Sequence, residues 1–159
     1  MYPKVRSYTD ATNSEAVLAV SLPRDDHRAL SDIFSKLPWT LKSAATLAQG
    51  LIQVMSRPVA AIVCEQDLPG GSWRLLLDKV EMLPRPPRVI VASRLADARL
   101  WAEVLNLGGY DVLATPFDAN EVHYVLSYAV ESWQRQAAPI AKSASWEEYA
   151  VGPQASYLR

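Results

Sequence analysis

Glu65 stands where an acid can do chemistry. Six apolar residues, Val59 to Cys64, run unbroken and stop at its carboxylate; Leu68-Pro69-Gly70-Gly71 follows shortly after. A short continuous apolar run reads as a strand buried on both faces, as in a parallel sheet covered by helices. In open α/β sheets, ligands and catalysis gather beyond the carboxyl ends of such strands. Asp67 lies on the loop rimming the same crevice. It can accept phosphate, help hold a metal, or act as a turn residue that bonds its own backbone.

The other reactive types give less. Cys64 adjoins Glu65, yet cysteine is a common buried strand residue, and a neighbouring carboxylate raises a thiol pKa. His27 and His123 fall on different helices, without metal-ligand spacing, and read as surface residues. Ser21, Asp25 and His27 match a hydrolytic triad in composition only, since no G-x-S-x-G turn is present. Pro69-Gly70-Gly71 is too short for a phosphate-cradling loop and lacks its lysine.

The elements that must position these residues alternate along the chain. Ala16 to Val20 reads as the first strand. The helix after Pro23 can be capped by Asp25 or Asp26, which could otherwise reach the rim of the crevice, and carries Leu30, Ile33, Phe34 and Leu37 on one face. Trp39 to Ala44 reads as an edge-like strand. Thr46 caps a helix with Leu47, Leu51, Val54 and Met55 inward. Val59 to Cys64 is the third strand, Leu68 to Gly71 a loop, and Trp73, Leu76, Leu77 and Val80 mark a third helix. After the stiff Pro84, Pro86 and Pro87 connector comes the strand Arg88 to Ser93. A fourth helix spans about Asp97 to Leu107 and ends at Gly108-Gly109. Tyr110 to Ala114 is the fifth strand. Asp118 caps the last helix, whose stripe is Val122, Val125, Leu126, Ala129, Val130 and Trp133. Such alternation predicts a parallel sheet between two helix layers.

With 159 residues and a net charge of −1, the chain has an ordinary globular composition. The scattered Lys and Arg form no basic stripe, so no nucleic-acid partner is expected. No apolar run approaches the roughly 20 residues of a spanning helix, and the N-terminus lacks the core of a secretory signal; no membrane association is expected. The single cysteine suits a reducing cytoplasm. The expected division is an arm over 1–15, a domain over 16–136 and a tail over 137–159 that holds Trp146, Tyr149 and Tyr157.

Over roughly Ala16 to Trp133 the chain resembles the receiver domains of two-component response regulators. Glu65-x-x-Leu68-Pro69-Gly70-Gly71 is similar to the Asp-x-x-Leu-Pro-x-Gly after strand three of that family. Gly108 to Asp118, GGYDVLATPFD, is similar to its run around strand five. The resemblance implies a flavodoxin-like (βα)5 three-layer sandwich with a parallel five-stranded sheet of order 2-1-3-4-5.

The resemblance also implies a phosphorylation pocket, and the chain departs from it. The two acids after strand one, which hold Mg²⁺, fall on Ser21 and Leu22. The phospho-accepting Asp falls on Glu65, the switch Ser/Thr on Ser93, the conserved-type Lys of the family motif on Thr115, and the switch aromatic on Val112. Only Ser93 agrees. Phosphoryl transfer concentrates negative charge that cations must hold, and Thr115 offers a neutral hydrogen bond in place of an ammonium. Glu65 carries its carboxyl about 1.5 Å farther than Asp would, and misplacement near 1 Å costs about 10²-fold. The implied protein is a degenerate receiver, not an enzyme, with no cofactor and no metal. Glu65 is then either a solvated acid at a strand end or a fixed negative charge aimed at Ser93 in weak imitation of the phosphorylated form. Arg94 reads as an exposed, unpartnered cation or as a replacement positive charge. The alternative is a working atypical receiver that takes phosphate on Glu65 or Asp67 with Mg²⁺. A third reading is a flavodoxin-like small-molecule binder or enzyme.

Without phosphotransfer, function moves to a surface. Tyr124 and Tyr128 lie four residues apart, off the core stripe of the last helix, with Trp101 and Phe117 expected to adjoin them. In receivers the face built by helix four, strand five and helix five is the usual dimer and output surface. The implied partners are a histidine kinase, an output protein or a second copy. The alternative is that the tail covers these aromatics. The stretch after Trp133 is too short to hold an output domain, so a stand-alone receiver or a fragment is expected.

Overall fold

The computed structural model describes residues 15–141. The expected arm and tail, with Trp146, Tyr149 and Tyr157, otherwise lie outside the described residues. The last helix continues past the expected boundary at 136, to Ala141.

Five strands, β1 (Ala16–Val20), β2 (Thr40–Ala44), β3 (Ala61–Glu65), β4 (Arg88–Ser93) and β5 (Asp111–Ala114), form one sheet of order β2-β1-β3-β4-β5. Every pairing in it is parallel. The helices are α1 (Arg24–Phe34), α2 (Leu47–Ser56), α3 (Trp73–Val80), α4 (Ala98–Asn106) and α5 (Ala119–Ala141). This is the expected flavodoxin-like (βα)5 sandwich. Right-handed crossovers send helices to both faces, and side-chain alternation along the strands shows which face each serves. Leu18, Val20, Ile62, Cys64, Val89 and Val91 pack with residues of α2, α3 and α4. Val17, Ala19, Val63, Ile90, Ala92 and Leu113 pack with residues of α1 and α5. The stripe Val122, Val125, Leu126, Ala129, Val130 and Trp133 is buried throughout.

Several local expectations are corrected. Neither Asp25 nor Asp26 caps α1: Pro23 occupies the N-cap without a side-chain bond, and both acids stand in the first helical turn. Proline suits a helix start because its missing N–H lies among donors that have no intrahelical partner there. Met55 is 68% exposed, not inward. It follows Val54 by one residue, about 100° further round the helix, while Leu47, Gly50 and Val54 fill the buried side. The loop after Glu65 is a small antiparallel hairpin, Asp67–Leu68 against Gly71–Ser72. Gly70 turns it with φ +96°, a conformation natural to glycine. Thr46 and Asp97 accept from the first-turn amides of Gln49 and Leu100, and Asp118 from that of Glu121. Gly108, at φ +102°, follows the end of α4.

Candidate functional site

Sheet register brings the expected pocket together. Val20 pairs with Cys64, Glu65 with Ala92 and Ser93 with Ala114. Ser21, Glu65, Ser93 and Thr115 therefore end or follow four adjacent strands at one rim. Ser21 holds a left-handed φ of 60° as the chain leaves β1, and its N–H donates to the Ala44 carbonyl. Leu22 packs against the α1/α5 side of the core, and an alkyl side chain has no donor or acceptor to offer an ion.

Glu65 is half-buried. Burial pushes its pKa above the ordinary carboxylate range; the charge of Asp26 raises it further, Arg94 lowers it, and Asp67 raises it. The structure thus places Asp26 and Arg94 around Glu65. The sequence favoured a cap for the first and an isolated surface cation for the second. The acid with the larger charge effect on Glu65 comes from the first turn of α1, several residues beyond the gap-free positions Ser21 and Leu22. The signal was the Asp25-Asp26 pair itself, and its rival explanation, capping, does not occur.

Ser93 is buried. Its hydroxyl donates to Gln66 Oε1 at 3.1 Å and accepts from the Leu95 amide at 3.1 Å. Its partner is therefore the neutral amide beside Glu65, not Glu65. Nothing in the residue pattern had singled out Gln66. Thr115 is buried, and its Oγ1 has no hydrogen-bond partner among the described residues. Val112 lies in the core layer shared with α4, where an aliphatic side chain packs. Asp67 is exposed in the hairpin. Cys64 is fully buried; burial, then the charge of Glu65, pushes its thiol pKa up, which removes it as a nucleophile.

Mg²⁺ with a phosphoryl group, which the fold implies, is a poor match for these side chains. The charges of Asp26 and Asp67 both reach Glu65, but among the described residues no three ligating side chains converge on a metal position. Where developing phosphoryl charge needs a cation, Thr115 supplies an uncharged hydroxyl.

On the flank of the sheet, Tyr124 and Tyr128 stack edge to face with ring centres 4.9 Å apart, and both are exposed. Trp101 is 49% exposed, and its indole N–H donates to Asp111 Oδ1 at 3.2 Å, which ties α4 to β5. Asp111 also raises the pKa of Glu121 on α5, after burial and Asp118, so the three elements meet there. Phe117 is half-buried and packs on the α1/α5 core layer. Its role is partly structural.

The fold is that of response regulator receiver domains. The chain is similar to the signal receiver domain of an HD domain-containing protein from Pseudomonas fluorescens Pf-5, with 25% identity, a TM-score of 0.71, and 79% of this chain and 93% of that one covered. It is similar to the beryllofluoride-activated NtrC4 receiver domain dimer, with 20% identity, a TM-score of 0.67, and 74% and 98% covered. It is also similar to a chain of the CheX–CheY–BeF3–Mg complex from Borrelia burgdorferi, with 19% identity, a TM-score of 0.63, and 70% and 86% covered. No protein-family model and no curated protein matches the sequence. Among the described residues, no helix is long and apolar enough to cross a membrane.

Proposed function

We propose that the chain is a receiver-like signalling module that works without phosphotransfer. It is not an enzyme. It acts in the cytoplasm by docking a signalling protein, either a histidine kinase or an output protein, or a second copy of itself, through the face built by α4, β5 and α5. The observation that carries this reading is the aromatic group on that face. Trp101 on α4 and the touching pair Tyr124 and Tyr128 on α5 are each exposed, and Trp101 is held by Asp111 of β5. Exposed aromatics of this kind are effective interface anchors, because they bury large area at low entropic cost. One similar structure is a receiver dimer and another a receiver within a protein complex, which supports both kinds of partner. The test is a photo-crosslinking amino acid placed at position 124 or at exposed position 32 on α1 in the full chain. Adducts to a partner or a second copy from 124 and none from 32 are expected. Adducts from 32 alone would overturn the choice of face.

A second reading keeps phosphorylation on Glu65 or Asp67 with Mg²⁺. The specific observation in its favour is Asp26, which supplies a second carboxylate near Glu65. Against it stand the missing cation at Thr115 and the engagement of Ser93 with Gln66.

A further inference from the structure

A cleft of about 710 Å³ opens where β1 and β2 end beside α1, sharing Ser21 and Leu22 with the rim of the phosphorylation pocket. Glu65 is not among its lining residues. Ser21, Arg24, His27, Arg28, Ser31 and Ser43 supply its polar groups, and no carboxylate lines it. Arg24 and Arg28 are four residues apart on α1 and so share a side of the helix. Neither forms an ion pair among the described residues, where the pairs are Arg74–Glu103 and Arg135–Glu131. His27 is half-buried, and its Nε2 is enclosed without a hydrogen-bond partner among the described residues.

We propose that this cleft binds a small phosphate monoester of a polar molecule of sugar-phosphate or nucleotide size. Two guanidinium groups without an ion pair among the described residues, beside three hydroxyls, suit phosphate oxygens, which arginine holds through paired N–H donors. The volume falls within the usual range for small-molecule sites and exceeds what a bare phosphate fills, which leaves room for a further body. Six of its nine lining residues are polar, while Leu22, Ala44 and Ala45 give it a substantial apolar wall, which suits a body with both hydroxyls and an apolar face, such as a nucleoside. The proposal stands apart from the proposed function: although the cleft shares Ser21 and Leu22 with the pocket rim, it requires neither docking nor phosphotransfer.

The test titrates the full-length protein with ribose 5-phosphate, AMP, adenosine and inorganic phosphate, following backbone amide shifts at constant ionic strength. Saturable shifts with ribose 5-phosphate or AMP are expected at Ser21, the Arg24–Ser31 stretch and Ser43. Inorganic phosphate should bind more weakly and adenosine should not bind. Arg28→Ala should weaken ester binding about tenfold, the loss typical of one charge-assisted hydrogen bond. Arg28→Lys should recover part of it, and thermal melting of both variants confirms that they fold. Absence of saturable binding by both esters, binding indifferent to Arg28→Ala, or equal binding of adenosine would each overturn the proposal.

Discussion

The Ser93 hydroxyl donates to Gln66 Oε1 at 3.1 Å. The buried hydroxyl at the end of β4 thus pairs with a neutral amide, while the carboxylate of Glu65, one residue before that amide, feels the opposed charges of Asp26 and Arg94. Gln66→Leu leaves that donor unpaired and should cost about 1–2 kcal/mol in urea unfolding. Adding Ser93→Ala should cost less than the sum of the two single changes, because it removes the stranded partner. Strict additivity would mean that the two side chains do not interact.

Glu65 sets a pH dependence. Its folded-state pKa lies above the ordinary value of 4.5, through burial first and Asp26 second. The folded protein therefore binds this proton more tightly than the unfolded chain does. Stability falls as pH rises from about 4.5 through the raised folded value, and the loss persists at neutral pH. Glu65→Gln should be the more stable form at pH 7, with the difference vanishing below the unfolded value. Carboxyl carbon NMR should show the Glu65 midpoint falling in Asp26→Asn and rising in Arg94→Ala. A midpoint unmoved by Asp26→Asn would remove Asp26 from the pocket.

The fold was legible because its signals are local and redundant. The continuous apolar run into Glu65 and the six-residue stripe on α5 each specify an element and its buried side. The pocket was only half legible. The shared rim position of Glu65, Ser93 and Thr115 was legible because each directly ends or follows a strand, where register fixes position. Asp26 was not placed, because a first-turn acid has two physical uses, capping and facing the rim, and only the path of the chain through Pro23 decides between them. Gln66 was invisible because its importance is one hydrogen bond to a residue 27 positions away. Met55 was misplaced because one step around a helix separates it from the buried Val54.

The Thr115 hydroxyl is buried, and its Oγ1 has no partner among the described residues. Replacing it with a methyl group of similar shape removes a desolvated polar atom without opening a cavity. Thr115→Val should leave urea stability unchanged or raise it by up to about 1 kcal/mol. A loss of more than about 1 kcal/mol would show that the hydroxyl is satisfied and contributes.

Tyr124 and Tyr128 are both more than half exposed and touch each other. Tyr124→Ala with Tyr128→Ala should cost no more than about 1.5 kcal/mol of stability, the upper value of one aromatic pair. It should weaken self-association or partner binding at least tenfold in sedimentation or titration, as loss of interface anchors does. Undiminished association would move the docking surface elsewhere.

The most direct test is treatment of the full-length protein with acetyl phosphate and Mg²⁺, followed by intact mass measurement. The account predicts an unchanged mass, because Thr115 offers no positive charge to the phosphoryl group and Ser93 is already engaged by Gln66. A gain of one phosphoryl group that disappears in Glu65→Ala or Asp67→Ala would contradict it.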